Sequence, residues 1–86
     1  MIDKIFDVIK NNVIELENVE LKRDTSLIAS GYMDSFEVIM LLQQLEQVFN
    51  IYISLDSINL EDFETPERIE EMILEIKNKD EHLKHT

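Results

Sequence analysis

The sequence contains no cysteine, so neither a disulfide nor a thiolate metal site can brace the fold, and no side chain can form a thioester. Any thiol chemistry has to be imported. Positive charge is scarce, with 8 Lys and Arg against 19 Asp and Glu and a formal net charge of −11. That balance excludes nucleic acid as a partner, because phosphate binding needs clustered cations to displace counterions. Basic protein surfaces are the natural alternative. No long apolar run is present either: the amino-terminal MIDKIFDVIK mixes acids with apolar residues and reads as neither a secretory signal nor a membrane span. A soluble, cytoplasmic monomer without membrane insertion is expected. Glycine occurs once, as Gly31, and proline once, as Pro66.

What is present is one small domain of 86 residues, expected over 1–77 with a polar, frayed tail at 78–86. Its acids are segregated. Residues 35–76 hold ten acids against one base, a balance of −9, and no positive side chain lies between Arg23 and Arg68. Ser35 sits inside that negative field.

Periodicity predicts an all-α fold of four helices. Ile2, Ile5, Phe6, Ile9 and Val13 recur at helical spacing and predict a first helix to about residue 15. Residues 17–34 lack periodicity and form a long loop, held down by Val19, Leu21, Leu27, Ile28 and Met33. Asp34 with Glu37 three residues on has the pattern of a capping box, which makes Ser35 the first residue of the second helix. Ile39, Leu42, Leu45 and Phe49 form its expected buried stripe, widened by Val38, Leu41 and Val48, and Asn50 ends it. The stretch IYIS alternates like a strand but has no partner strand, so it reads as loop. A short third helix is expected around Ile58 to Phe63, and Thr65-Pro66-Glu67 starts a fourth, with Ile69, Met72, Ile73 and Ile76 facing inward.

Several chemistries fail on their residue requirements. A serine hydrolase needs a base beside the hydroxyl, and the two histidines, His82 and His85, fall in the polar tail, where they also lack further metal ligands. A calcium loop from Asp56 to Glu67 would put Ile58 and Leu60 at ligand positions and Glu61 at the obligatory glycine. Met33, Met40 and Met72 read as core and contact fillers. Ser35 has no base and cannot be a nucleophile of its own, yet its place at a helix amino terminus suits a phosphate ester, which that end favours by roughly 0.3–1 kcal/mol. Ser26, Ser30, Ser54 and Ser57 lie in loops.

The segment GYMDSFEVIMLLQQLEQVF resembles the phosphopantetheine attachment segment of acyl and peptidyl carrier proteins: a glycine, two residues, Asp-Ser, a large apolar residue, and a helix ending Leu-Glu-x-x-Phe. DTSL at 24–27 and FETPERI at 63–69 are similar to that family's loop and last helix. The resemblance implies a four-helix bundle, not an enzyme, in which Ser35 carries covalent 4'-phosphopantetheine, the imported thiol. It also implies a role in shuttling thioester-bound acyl or aminoacyl groups between biosynthetic enzymes. The implied partners are a phosphopantetheinyl transferase, an acyl or aminoacyl ligase, and synthase or transferase enzymes with basic docking surfaces. Asp34, Phe36, Glu37, Met40, Glu46 and Ile58 form the implied partner-facing set. Gln43, Gln44 and Gln47 thin the acids of the second helix relative to the fatty-acid type. This makes a specialised carrier, of D-alanine, polyketide, peptide or surface-glycolipid type, as credible as one of housekeeping lipid or fatty-acid biosynthesis, and a specialised pathway is expected. The competing reading is an unmodified acidic adaptor that binds a basic partner.

Overall fold

Helix α1 spans Ile2–Asn12, a 3₁₀ turn covers Ile14–Leu16, α2 spans Ser35–Phe49, a second 3₁₀ turn covers Leu60–Phe63, and α3 spans Pro66–Lys84. The computed structural model describes residues 1–56 and 58–84, and among these there is no strand, so the all-α expectation holds. Ser57 and His85, read above as loop and tail, lie outside the described residues.

Helix α1 forms because apolar residues recur on one face, with Asp3 in its first turn and Lys10 in its last complementing the helix dipole. It stops at Asn12 rather than near residue 15. The Asn12 side-chain Nδ2 donates to the Val8 carbonyl at 2.8 Å, and Val13 is extended. The β-branched Val13 and Ile14 then make a tighter 3₁₀ turn. Helix α1 packs against both α2 and α3, while the second 3₁₀ turn touches α2 on one side and α3 on the other. The core is one cluster, with Ile5, Ile9, Leu16, Leu27, Leu41, Leu45, Phe63, Ile69 and Ile73 fully buried. Leu21, Leu27 and Met33 bring the long loop into it, as expected, with Val19 and Ile28 packed at its edge.

Three expectations are revised. The third helix is only the 3₁₀ turn Leu60–Phe63, because Thr65-Pro66 restarts the chain: the residue before a proline disfavours helical backbone, leaving room for one turn. The buried positions of α2 are Val38, Leu41, Leu42, Leu45 and Phe49, so the buried face is narrower than expected, and Ile39 and Val48, at its two edges, are each 43 % exposed. Helix α3 continues past Ile76 to Lys84, through a segment that contains Lys, Glu and Leu, residues that favour helix.

Candidate functional site

Segment 22–33 folds onto itself before it reaches α2. The Lys22 N–H donates to the Thr25 hydroxyl oxygen at 2.8 Å, the Ser30 hydroxyl to the Ser26 carbonyl at 2.6 Å, and the Met33 N–H to the Leu27 carbonyl at 2.9 Å. Gly31 turns the chain at φ +91, a left-handed backbone that explains why the single glycine stands there. Asp34 then adopts an extended conformation, φ −98 and ψ −179, and accepts the Glu37 N–H at Oδ1, 2.8 Å away. The reciprocal bond, from the Asp34 N–H to Glu37 Oε1, is longer at 3.4 Å. The predicted capping box is therefore present, and Ser35 opens the helix. Asn50 closes it in the left-handed region, φ 53, with its N–H on the Glu46 carbonyl.

Ser35 is exposed, and its hydroxyl takes no part in the cap. It borders a cleft of about 240 Å³. Ile39 and Leu42 of α2 form one side of that cleft, Leu55, Ile58 and Leu60 the other, with buried Phe63 of the 3₁₀ turn behind. Ile39, at the edge of the buried face of α2, is half-exposed because it faces this cleft. Phe36 and Met40, 69 % and 42 % exposed, form an apolar pair one turn apart on α2 beside Ser35.

Of the residues expected at the site, the structure brings Asp34, Ser35, Phe36, Glu37 and Met40 onto the first turns of α2, and Ile58 into the cleft. Glu37 is engaged in the cap. Glu46 is not brought to this group: it lies about 16 Å along the helix from Ser35. Its carboxylate accepts the Ile53 N–H at 2.9 Å, which pins the loop after α2. Ile58 also borders a charged groove of about 290 Å³ on the α3 side, between Asp62 and the row Arg68, Glu71, Glu75 and Lys79.

The sequence reading missed Glu64. Its carboxylate accepts the Ser26 hydroxyl at 2.9 Å and the N–H groups of Ile28 and Ala29 at 2.9 and 3.1 Å, and its carbonyl accepts the Leu27 N–H at 2.8 Å. Burial opposes the charge, but the Ala29 and Ile28 amides and the Ser26 hydroxyl outweigh it and hold the carboxyl below the usual glutamate range. No local pattern signals this, because its partners lie 35 to 38 residues away. Nearby, Arg23 pairs with Glu70 at 2.8 Å and its carbonyl accepts the Glu67 N–H at 3.0 Å, so the long loop is fastened to the start of α3.

The site is thus an exposed hydroxyl on a capped helix start beside an apolar cleft, with no histidine or lysine among the described residues of its cleft. Among the described residues no group of three or more acids or histidines is placed to hold a metal ion, and no helix is long and apolar enough to cross a membrane. Residues 7–73 match a protein family described as the phosphopantetheine attachment site. A D-alanyl carrier protein from Staphylococcus xylosus is 30 % identical over 77 residues, spanning 90 % of this chain and 92 % of that protein.

Proposed function

The chain belongs to the phosphopantetheine-attachment family of carrier proteins, and from that premise we propose that Ser35 is the residue that bears the arm. Members of the family hold 4'-phosphopantetheine covalently and are carriers rather than enzymes. The domain then shuttles acyl or aminoacyl groups between biosynthetic enzymes of a specialised, cytoplasmic pathway. The observation behind this reading is the Ser35 hydroxyl itself, exposed and outside the cap. Once attached, the arm supplies the thiol that this cysteine-free chain lacks and holds its cargo as a thioester.

The chain's own residues bind and present. Asp34 fixes the helix start and offers a carboxylate next to the hydroxyl, where a transferase reads both. Phe36 and Met40 give such a partner an apolar contact. The surrounding acids steer basic enzymes, which raises encounter rates more than it deepens affinity. Ile39, Leu42, Leu55 and Leu60 shield an apolar portion of a tethered group from water. The relative's name points to an aminoacyl cargo, and the apolar cleft favours an acyl chain. Loading the holo protein with alanyl and octanoyl groups separates them, because a cargo that enters the cleft stabilises the fold and raises Tm whereas one held in solvent does not.

Intact mass after incubation with coenzyme A and a broad-specificity phosphopantetheinyl transferase tests the attachment. The wild type is expected to gain one arm and Ser35→Ala none. A wild type that gains nothing would support the unmodified acidic adaptor, and a Ser35→Ala protein that gains the arm would move the site.

A further inference from the structure

We infer that Glu64 is a positioning residue for the modification of Ser35, acting through segment 26–33 on the cap of α2. The inference rests on Ser35 as the attachment residue. Four consecutive residues, Ser26 to Ala29, each place a donor on Glu64: three on the carboxylate, at 2.9 to 3.1 Å, and the Leu27 N–H on the carbonyl at 2.8 Å. Leu27 passes the grip on, since its own carbonyl holds the Met33 N–H at 2.9 Å, and buried Met33 immediately precedes Asp34. Between them, the Gly31 N–H on the Ile28 carbonyl and the Ser30 hydroxyl on the Ser26 carbonyl close the segment on itself. Among the described residues, the hydrogen bonds that tie 26–33 to the rest of the fold end on Glu64.

Glu64 is thus the fixed point for a loop that is internally bonded and otherwise held by the packing of Leu27 and Met33. Released from Glu64, segment 26–33 keeps its own bonds but loses its registration against the 3₁₀ turn, while the Arg23 contacts upstream still hold the loop to α3. The Met33-Asp34 junction then departs for part of the time from the extended geometry in which Asp34 accepts the Glu37 N–H. A transferase that recognises Asp34 and Ser35 in one arrangement meets that arrangement less often, and its apparent affinity falls by the same fraction. The placement of Glu64 adds a second feature: it directly follows the 3₁₀ turn whose Leu60 and Phe63 line the cleft, so one residue registers the cleft and the attachment loop against each other.

The test compares Glu64→Gln and the milder Ser26→Ala with Ile9→Val, a core change on α1 that touches none of the hydrogen bonds to Glu64, all at a temperature where each is fully folded. Transferase kinetics and backbone amide NMR spectra are measured on each. For Glu64→Gln, loading at subsaturating protein is expected to slow about threefold to tenfold, with KM raised and kcat kept. Ser26→Ala should shift the same way by less, and Ile9→Val should match the wild type. Amide shifts from Glu64→Gln should extend to Met33, Asp34 and Glu37. Wild-type kinetics for Glu64→Gln, equal slowing in Ile9→Val, or shifts that stop at Ala29 would each overturn the positioning role. A wild type that accepts no arm would instead overturn the attachment reading beneath it.

Discussion

Met40 and Leu45 occupy the same helix, five residues apart, and have opposite fates. Met40 is 42 % exposed beside Ser35, whereas Leu45 is fully buried. Met40→Glu is expected to weaken transfer from a loading enzyme while changing stability by no more than about 0.5 kcal/mol, the usual range for surface changes. Leu45→Ala should cost about 2–5 kcal/mol by emptying a core site, with little effect on loading per folded molecule. Denaturant midpoints and loading rates measured on both variants check the pair; unfolding by Met40→Glu would mean that the methionine supports the core. Glu64 yields a pH prediction. Its carboxyl lies below the ordinary glutamate range in the folded protein because Ala29, Ile28 and Ser26 donate to its charged form against the cost of burial. Its stabilising contribution is therefore complete above that ordinary range and is lost as pH falls through the lower, folded value. Glu64→Gln should melt below the wild type at neutral pH, by about 1–2 kcal/mol in stability given partial screening of bonds to a charged acceptor. The two melting curves should converge as the solution is acidified. A gap that stayed constant across pH would assign the loss to something other than the charge.

At the scale of the element, α2 is the part of the fold that its sequence specifies most fully. Asp34, Glu37 and Asn50 set both ends by local chemistry, and all three are found in the expected roles. Asp34→Ala should destabilise the protein by about 0.5–2 kcal/mol, with Asp34→Asn retaining most of the cap, as read from thermal or urea unfolding. Equal losses for both variants would show that charge at the helix end, rather than the hydrogen bond to Glu37, sets the cost. The width of the buried face of α2 was less legible. Val38, Ile39, Leu41, Leu42, Leu45 and Val48 span about half of the helix circumference with apolar side chains, so periodicity alone does not say how much of that arc is buried. Ile39 and Val48 sit at its two edges and are half-exposed, while Val38, Leu41, Leu42 and Leu45 between them are buried where α1 and the 3₁₀ turn pack. The short helix expected around Ile58 to Phe63 is a four-residue 3₁₀ turn, limited by the restart of the chain at Pro66.

Across the whole molecule, charge is the dominant unbalanced term. A formal net charge of −11 on 86 residues, with ten acids and one base over 35–76, repels the compact state against itself. The ion pair of Arg23 with Glu70 is 52 % exposed on the arginine side and offsets little of this. Raising ionic strength from low to physiological values, or adding divalent cations, is therefore expected to raise Tm, the Debye length falling to about 8 Å at 0.15 M salt. A Tm independent of salt would remove self-repulsion as a significant term. The same field should make docking to basic enzymes faster at low salt, so association rates and stability are expected to respond to salt in opposite directions.

The sequence by itself determined the all-α class, the start and end of α2, the place of Ser35 at its first position, and the likeness to carrier proteins. Each of these is read from local patterns, of residues within a few positions of one another or of several such segments taken together, where spacing, capping and backbone preference act directly. Tertiary structure decided the rest. The cleft beside Ser35 needs Ile39 from α2 and Leu55, Ile58 and Leu60 from a segment that no periodicity organises. The structural duties of Glu46 and Glu64 depend on donors 7 and 35 to 38 residues away. A carboxylate in an acidic chain looks the same in sequence whether it faces solvent or clamps a loop; only the backbone donors that the fold delivers to it distinguish the two.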